Sequence, residues 1–143
     1  MTMARIMAVD VGEVHLGVAL SDELKITAQP FKTIGRTSLK RDLRALARLA
    51  NDHEVVEIVV GLPLRMAGDI GPAAEATLGF VEQMRHVIRH PIRTWDERLT
   101  TVQAERALLE SGTSRRRRRE RIDQVAAAII LQSYLDSRSE AGT

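Results

Sequence analysis

Apolar and polar positions follow two different periods along the chain, and the changes of period lay out its elements. RIMAVDV (5–11) is a continuous apolar run ending in Asp-Val-Gly, as expected of a central strand buried on both faces. HLGVALSD (15–22) and KITAQPFKTI (25–34) follow after short turns, close enough to pair as antiparallel hairpins. Pro30 marks the third run as an edge strand, where a missing amide donor is tolerated. Leu39, Leu43, Leu46 and Leu49 then recur at helical spacing and predict a helix over 38–52. VEIVVGLP (56–63) reads as another buried strand, ended by Gly61 and Pro63.

The glycine-rich loop RMAGDIG leads into Pro72, a favoured residue of a helix's first turn. The helix beyond it is expected to bury Phe80, Val81, Met84, Val87 and Ile88. IRTW (92–95) is a fifth, short strand. Thr100 with Gln103 forms a capping-box pattern for a helix over 101–110, stopped at Gly112. A run of arginines follows, then a last helix over 120–137. Three strands in hairpin succession, then alternating helix and strand, imply an α/β domain with a mixed sheet and helices on its faces. Right-handed crossovers set the fourth and fifth strands parallel to the first. The first strand is then central, and the C-terminal ends of strands one, four and five share the edge where ligand sites of such sheets form.

Composition narrows what such a domain can do. At 143 residues the chain is expected to be one domain over 1–138, with a frayed tail at 139–143. Without cysteine it has no disulfide framework and no thiolate site, so any metal would be a hard ion held by oxygen or imidazole. No apolar run approaches membrane-spanning length and the N-terminus lacks a signal-peptide pattern, which makes the cytoplasm the expected address. The net charge is only +2, yet of 21 basic residues just Lys25, Lys32 and Lys40 are not arginine. A GC-rich genome would favour arginine codons, but it would not cluster them between Arg115 and Arg121.

Acids recur where the strands end. Asp10 closes the first strand, Asp96 and Glu97 follow the fifth, and Asp123 opens the last helix on the face of Ala126, Ala127, Ile130 and Tyr134. Each has a plain reading. Asp10 could shape a turn, Asp96 or Glu97 could pair with Arg98 in solvent, and Asp123 could cap its helix or complement its dipole. A carboxylate on a packing face is nonetheless costly to ionise without compensation. Three acids at one edge of one sheet suit phosphodiester hydrolysis supported by two magnesium or manganese ions. Neighbours on a strand face opposite ways, so Asp96 and Glu97 do not readily reach one centre together. The expectation is Glu97 inward, with Asp96 bonded to nearby backbone.

DVGEVHLGVALSD (10–22), VVGLPLRMAGDIG (59–71), DERLTT (96–101) and IDQVAAAIILQSYLD (122–136), in that order, resemble the YqgF/RuvX family of Holliday-junction-resolvase-like proteins. The resemblance runs over residues 5–136. DERLTT and the Asp-x-x-Ala-Ala helix are its specific parts, whereas Asp-x-Gly is shared with sugar kinases and actin-like ATPases. It implies an RNase H-like fold: a five-stranded mixed sheet of order 3-2-1-4-5, strand 2 antiparallel, with helices on both faces. It also implies a metal-dependent nuclease trimming the 5′ end of precursor 16S rRNA in ribosome biogenesis, with a Holliday-junction role in some members. By that resemblance Asp10, Glu97 and Asp123 are the catalytic and metal-binding acids. The chain departs from the family's usual pattern at Val14-His15 and at Arg65-Met66-Ala67-Gly68, where Asn-Met-Asp-Gly is frequent. Arg65 there could supply a phosphate contact that other members make differently.

Arg115, Arg116, Arg117, Arg118, Arg119 and Arg121 directly precede Asp123. They would grip a phosphate backbone with strong salt dependence, or form a solvated charge run. Mutual repulsion favours the phosphate partner. Arg98 fits a scissile phosphate and a carboxylate partner equally well, and the free amides of the 65–71 loop offer a second anion site. Of the histidines only His15 is expected near Asp10, while His86 and His90 are placed at the surface. Trp95 and Tyr134 are expected in the core, and an aromatic share of 3% argues against strand binding by stacking. The leading function is thus a metal-dependent nuclease on structured RNA. A DNA-junction resolvase is the same chemistry, and two-fold junction symmetry would call for a homodimer. A non-catalytic nucleic-acid-binding module is the competing class, and the three acids speak against it. An actin-like ATPase would need a second such domain.

Overall fold

The computed structural model describes residues 4–100 and 115–141, including their side chains except those of 115–121 and 139–141. Strand β1 (Arg5–Val11) is central in a five-stranded sheet of order β3-β2-β1-β4-β5. Its companions are β2 (His15–Ser21), β3 (Ala28–Gly35), β4 (Val55–Leu62) and β5 (Ile92–Asp96). β2 runs antiparallel to both β1 and β3, whereas β4 is parallel to β1 and β5 to β4. This is the expected RNase H-like order. Pro30 lies on the edge strand, beside a register shift between Val18 and Ala19 of β2, the kind of place where a missing donor is tolerated.

The unbroken apolar run of β1 feeds two cores because successive side chains take opposite faces. Met7 and Val9 join Leu16, Val18, Ile58 and Val60 under α1 (Leu39–Asp52) and α2 (Pro72–Val87). Ile6 and Ala8 join Ala19 and Val59 under α3 (Arg115–Ala141). Helix α1 starts where Ser38 Oγ accepts from the Arg41 amide at 3.2 Å, and it buries Leu43 and Leu46. Leu39, expected on the same stripe, is exposed at the first position of the helix. Its neighbour Asp42 is buried instead, accepting from Arg36 Nε at 3.2 Å and the Thr37 amide at 3.1 Å. A buried acid held by local donors leaves no mark on a hydrophobic period. In α2, Phe80, Val81 and Met84 are buried as expected, but Val87 faces solvent and Ile88, just past the helix end, takes the inner place.

Helix α3 begins at Arg115 rather than near 120 and runs to Ala141. Arginine is a good helix former, which lets the charged run serve as the opening turns. Residues 142–143 and the expected helix over 101–110, with Gln103 and Gly112, lie outside the described residues. Alanines on the inner face of α3 (Ala126, Ala127, Ala128) bring its backbone close to the sheet. Gln132 fastens it to the start of β3, accepting from the Ala28 amide and donating to the Ile26 carbonyl, each at 2.9 Å. No helix among the described residues is long and apolar enough to cross a membrane.

Candidate active site

Asp10 lies one residue from the end of β1, on the same face as Ile6 and Ala8, toward α3. Only 6% of it is exposed. The antiparallel register sets Gly17 of β2 directly opposite it. On the other side Val9 pairs with Val60, so the next step of the parallel ladder brings Gly61 beside Asp10. A carboxylate thus stands between two glycines in a row across three strands.

The glycines clear the ground for the other two acids. A Cβ built on Gly17 would stand 2.0 Å from the Asp123 carbonyl oxygen, so the α3 backbone rests directly on β2 there. A Cβ on Gly61 would come within 2.4 Å of Ile130 Cδ1 and 3.1 Å of Glu97 Cγ. The Asp123 backbone and the Glu97 side chain therefore stand over glycines of β2 and β4, the strands on either side of β1. Because α3 starts at Arg115, Asp123 lies beyond the second turn, where it neither caps the helix nor meets its terminal dipole. Its face-mates Ala126, Ala127, Ile130 and Tyr134 are all buried, as the spacing predicts.

Asp96 ends β5, and Glu97 falls in the turn beyond it. Glu97 opens a short 3-10 turn, Glu97–Leu99, and its Oε1 is sealed from solvent. Asp96 caps that turn, accepting from the Arg98 amide at 2.9 Å. The Arg98 guanidinium forks onto the same carboxylate, Nε to Oδ2 at 3.1 Å and Nη2 to Oδ2 at 2.8 Å. This pairing holds the Asp96 carboxyl below its ordinary range and raises Arg98 in turn. Arg98 Nη1 also donates to the Met66 carbonyl at 3.2 Å, joining the β5 end to the 65–71 loop.

His15, the first residue of β2, stands with Nδ1 3.5 Å from Asp123 Oδ2. Its share in the cluster is stronger than the sequence suggests. The signal was present, because His15 and Gly17 are two apart on one strand and so take one face. Gly17 and Gly61 carry no such signal: Gly61 reads in the sequence as a strand terminator, and only the neighbouring elements show what each glycine makes room for. His86 is exposed, whereas His90 is half-buried with Nδ1 shielded from solvent, a correction to its expected surface position. Trp95 and Tyr134 pack edge to face at 5.4 Å; the Trp95 Nε1 donates to Ser133 Oγ and the Tyr134 hydroxyl to Glu57. Burial and then Glu57 raise the Tyr134 pKa.

Among the described residues, no three His, Cys, Asp or Glu side chains stand close enough to enclose one metal ion. Asp10, Glu97 and Asp123 come instead from three elements, β1, the turn after β5 and α3. Magnesium is commonly held by one or two carboxylates together with water and substrate phosphate, and an all-oxygen set beside one imidazole fits that habit. Burying the Asp10 carboxylate near other acids also calls for a cation or hydrogen bonds to keep it ionised. Of the expected phosphate contacts, Arg65 is bonded to Asp69 Oδ2 at 2.8 Å and Arg98 to Asp96. The backbone of Arg115 to Arg121 forms the start of α3, on the helix that carries Asp123; the side chains of this run lie outside the described set.

Residues 4–137 match the model of the RuvX family, described as Holliday junction resolvase. A protein of Symbiobacterium thermophilum is 52% identical over 135 residues, covering 94% of each chain. One of Myxococcus xanthus is 51% identical over 139 residues, covering 97% of this chain and 92% of its own. Both bear the name "Putative pre-16S rRNA nuclease". Among solved structures, Thermus thermophilus RuvC in complex with a Holliday junction superposes with a TM-score of 0.60 at 14% identity, covering 95% of this chain and 96% of the other. The fowlpox virus resolvase with its junction gives 0.55 at 13% identity, covering 93% and 97%. At these identities the likeness is one of fold.

Proposed function

This chain belongs to the RuvX family, and we propose that it is a metal-dependent nuclease that trims the 5′ end of precursor 16S rRNA. The observation that supports the reading lies at the sheet edge: Asp10 is opposite Gly17, on which the Asp123 backbone rests, and Glu97 packs against Gly61 of the next strand. The names of relatives about half identical over nearly their whole length support the substrate. Asp10, Glu97 and Asp123 would hold magnesium or manganese, two ions in the usual arrangement, which when bound acidify water and offset charge on the scissile phosphate. In hydrolysis a water oxygen bonds to phosphorus, the bond to the leaving ribose oxygen breaks, and that oxygen takes up a proton. The protein's part is to orient and to bind. The Asp96–Arg98 fork fixes the turn from which Glu97 projects. Gly17 seats the α3 backbone at Asp123 directly on β2, opposite Asp10 of β1. The arginine run on the same helix would bind the strand on either side of the cut.

The family's description favours a second reading, cleavage of four-way DNA junctions. That activity would require a homodimer, one centre for each of two symmetric strands. Labelled precursor 16S RNA and a four-way junction, incubated in parallel with magnesium or manganese, separate the two. Asp10→Asn and Asp123→Asn, checked for folding by circular dichroism, should each lower the cleavage rate by about 10²–10³. Cutting of the RNA alone supports the rRNA role and cutting of the junction alone supports the resolvase. Steep salt-dependent binding without any cleavage would leave a nucleic-acid-binding module.

A further inference from the structure

Met66 is 80% exposed, and Leu99, Val14 and Ile70, also on loops of the acid-bearing edge, are 52% to 62% exposed. Single exposed apolar residues are ordinary on soluble proteins. Met66 is set apart by how firmly its backbone is held. The Arg65 amide donates to the Asp69 carbonyl at 3.1 Å, and the Gly68 amide to the Arg65 carbonyl at 2.7 Å. The Arg65 guanidinium adds a bond to Asp69 at 2.8 Å across the same turn. Gly68 takes the left-handed step at φ +95°, and a Cβ there would approach Arg98 Nη1 to 3.1 Å. That nitrogen bonds the Met66 carbonyl and ties the turn to the segment bearing Glu97. The tight turn thus presents a long apolar side chain to solvent on a loop that Arg98 ties to the end of β5.

A nucleotide offers the matching chemistry, a phosphate for the guanidinium and an aromatic base for the thioether. Aromatic side chains of the described residues are engaged elsewhere: Trp95 with Tyr134, Phe31 with His53 and Phe80 beneath Arg36. Methionine sulfur is polarizable and packs favourably on aromatic rings. Apolar side chains inserted at a base step unstack it and kink the strand. The Arg65–Asp69 pair is exposed, worth little as it stands, and open to exchange for a phosphate. Resting on the nuclease reading above, we propose that Met66 is a wedge that packs against and unstacks one base of the strand being cut, with Arg65 on the adjoining phosphate.

The test uses precursor 16S RNA carrying 2-aminopurine at successive positions across the mature 5′ boundary. Asp10→Asn protein binds it without cutting, and fluorescence reports unstacking. One position should brighten on binding, and the Met66→Ala, Asp10→Asn double variant should abolish the rise. In the cutting-competent background Met66→Ala should slow single-turnover cleavage about tenfold, and Met66→Leu, which keeps the apolar volume, should stay within about twofold. Cleavage and fluorescence unchanged in Met66→Ala would overturn the wedge while leaving the nuclease intact. Equal losses in Met66→Ala and Met66→Leu would assign the effect to the turn and overturn it as well. If the parent protein neither binds nor cuts the RNA, the nuclease reading fails first and the wedge fails with it.

Discussion

Arg98 divides its guanidinium between the Asp96 carboxylate and the Met66 carbonyl, and so links two loops of the site edge. The acid half of the pair sets its pH range. The folded-state pKa of Asp96 is lowered from the ordinary 3.8, first by the Arg98 hydrogen bond. A depressed carboxyl contributes stability that is fully present above its unfolded value and is lost as pH falls through the folded one. The link should therefore hold unchanged from neutral pH down to about 4 and weaken only below it. Hydrogen exchange at the Gly68 amide, followed from pH 7 to 3 and corrected for intrinsic rates, checks this. Protection already lost at pH 6 would mean that another group controls the turn.

The placement of α3 depends on two side chains that are not there. A Cβ at Gly17 would collide with the backbone of Asp123, which cannot swing aside as a flexible side chain can. Gly17→Ala should therefore lift the helix from the sheet, cost about 1–3 kcal/mol in urea denaturation, and depress cleavage by more than its stability loss explains. Gly79, inside α2 with nothing within 4 Å of a built Cβ, is the control. There Gly79→Ala should add about 0.5–1 kcal/mol, since alanine has less backbone entropy to lose and the better helix propensity. A Gly17→Ala protein as stable as the parent would show that α3 adjusts freely and that the close approach is not what positions Asp123.

At the scale of the whole molecule, the arginine run and Asp123 share one continuous helix, so under the proposed function strand binding and cleavage would be joined through it. If the run contacts phosphates, log affinity should fall linearly with log salt, with a slope of about −0.7 for each phosphate neutralised on a single strand. Replacing Arg115, Arg116 and Arg117 by glutamine should flatten that slope by about 2. The turnover of RNA at saturating concentration should change far less. An unchanged slope would remove these three arginines from the interface and shift the burden to the remaining basic residues.

Much of this layout was legible in the residues themselves. The unbroken apolar run of β1, the leucine spacing of α1 and Pro30 at the edge each report how one element meets its surroundings. Strand connection rules then bring Asp10 and the acids after β5 to a common edge. The errors were also local in origin. Leu39 and Val87 fit a helical stripe but sit at helix ends, and an arginine run that reads as a loop has the propensity to be a helix. The fork of Arg98 on Asp96, the approach of His15 to Asp123, the seats made by Gly17 and Gly61, and the bond from Arg98 to Met66 belong to the tertiary structure. Periodicity records which face a side chain takes within its own element. How closely two elements approach depends on strand register and on missing Cβ atoms at the crossing, and neither leaves a hydrophobic signature along the chain.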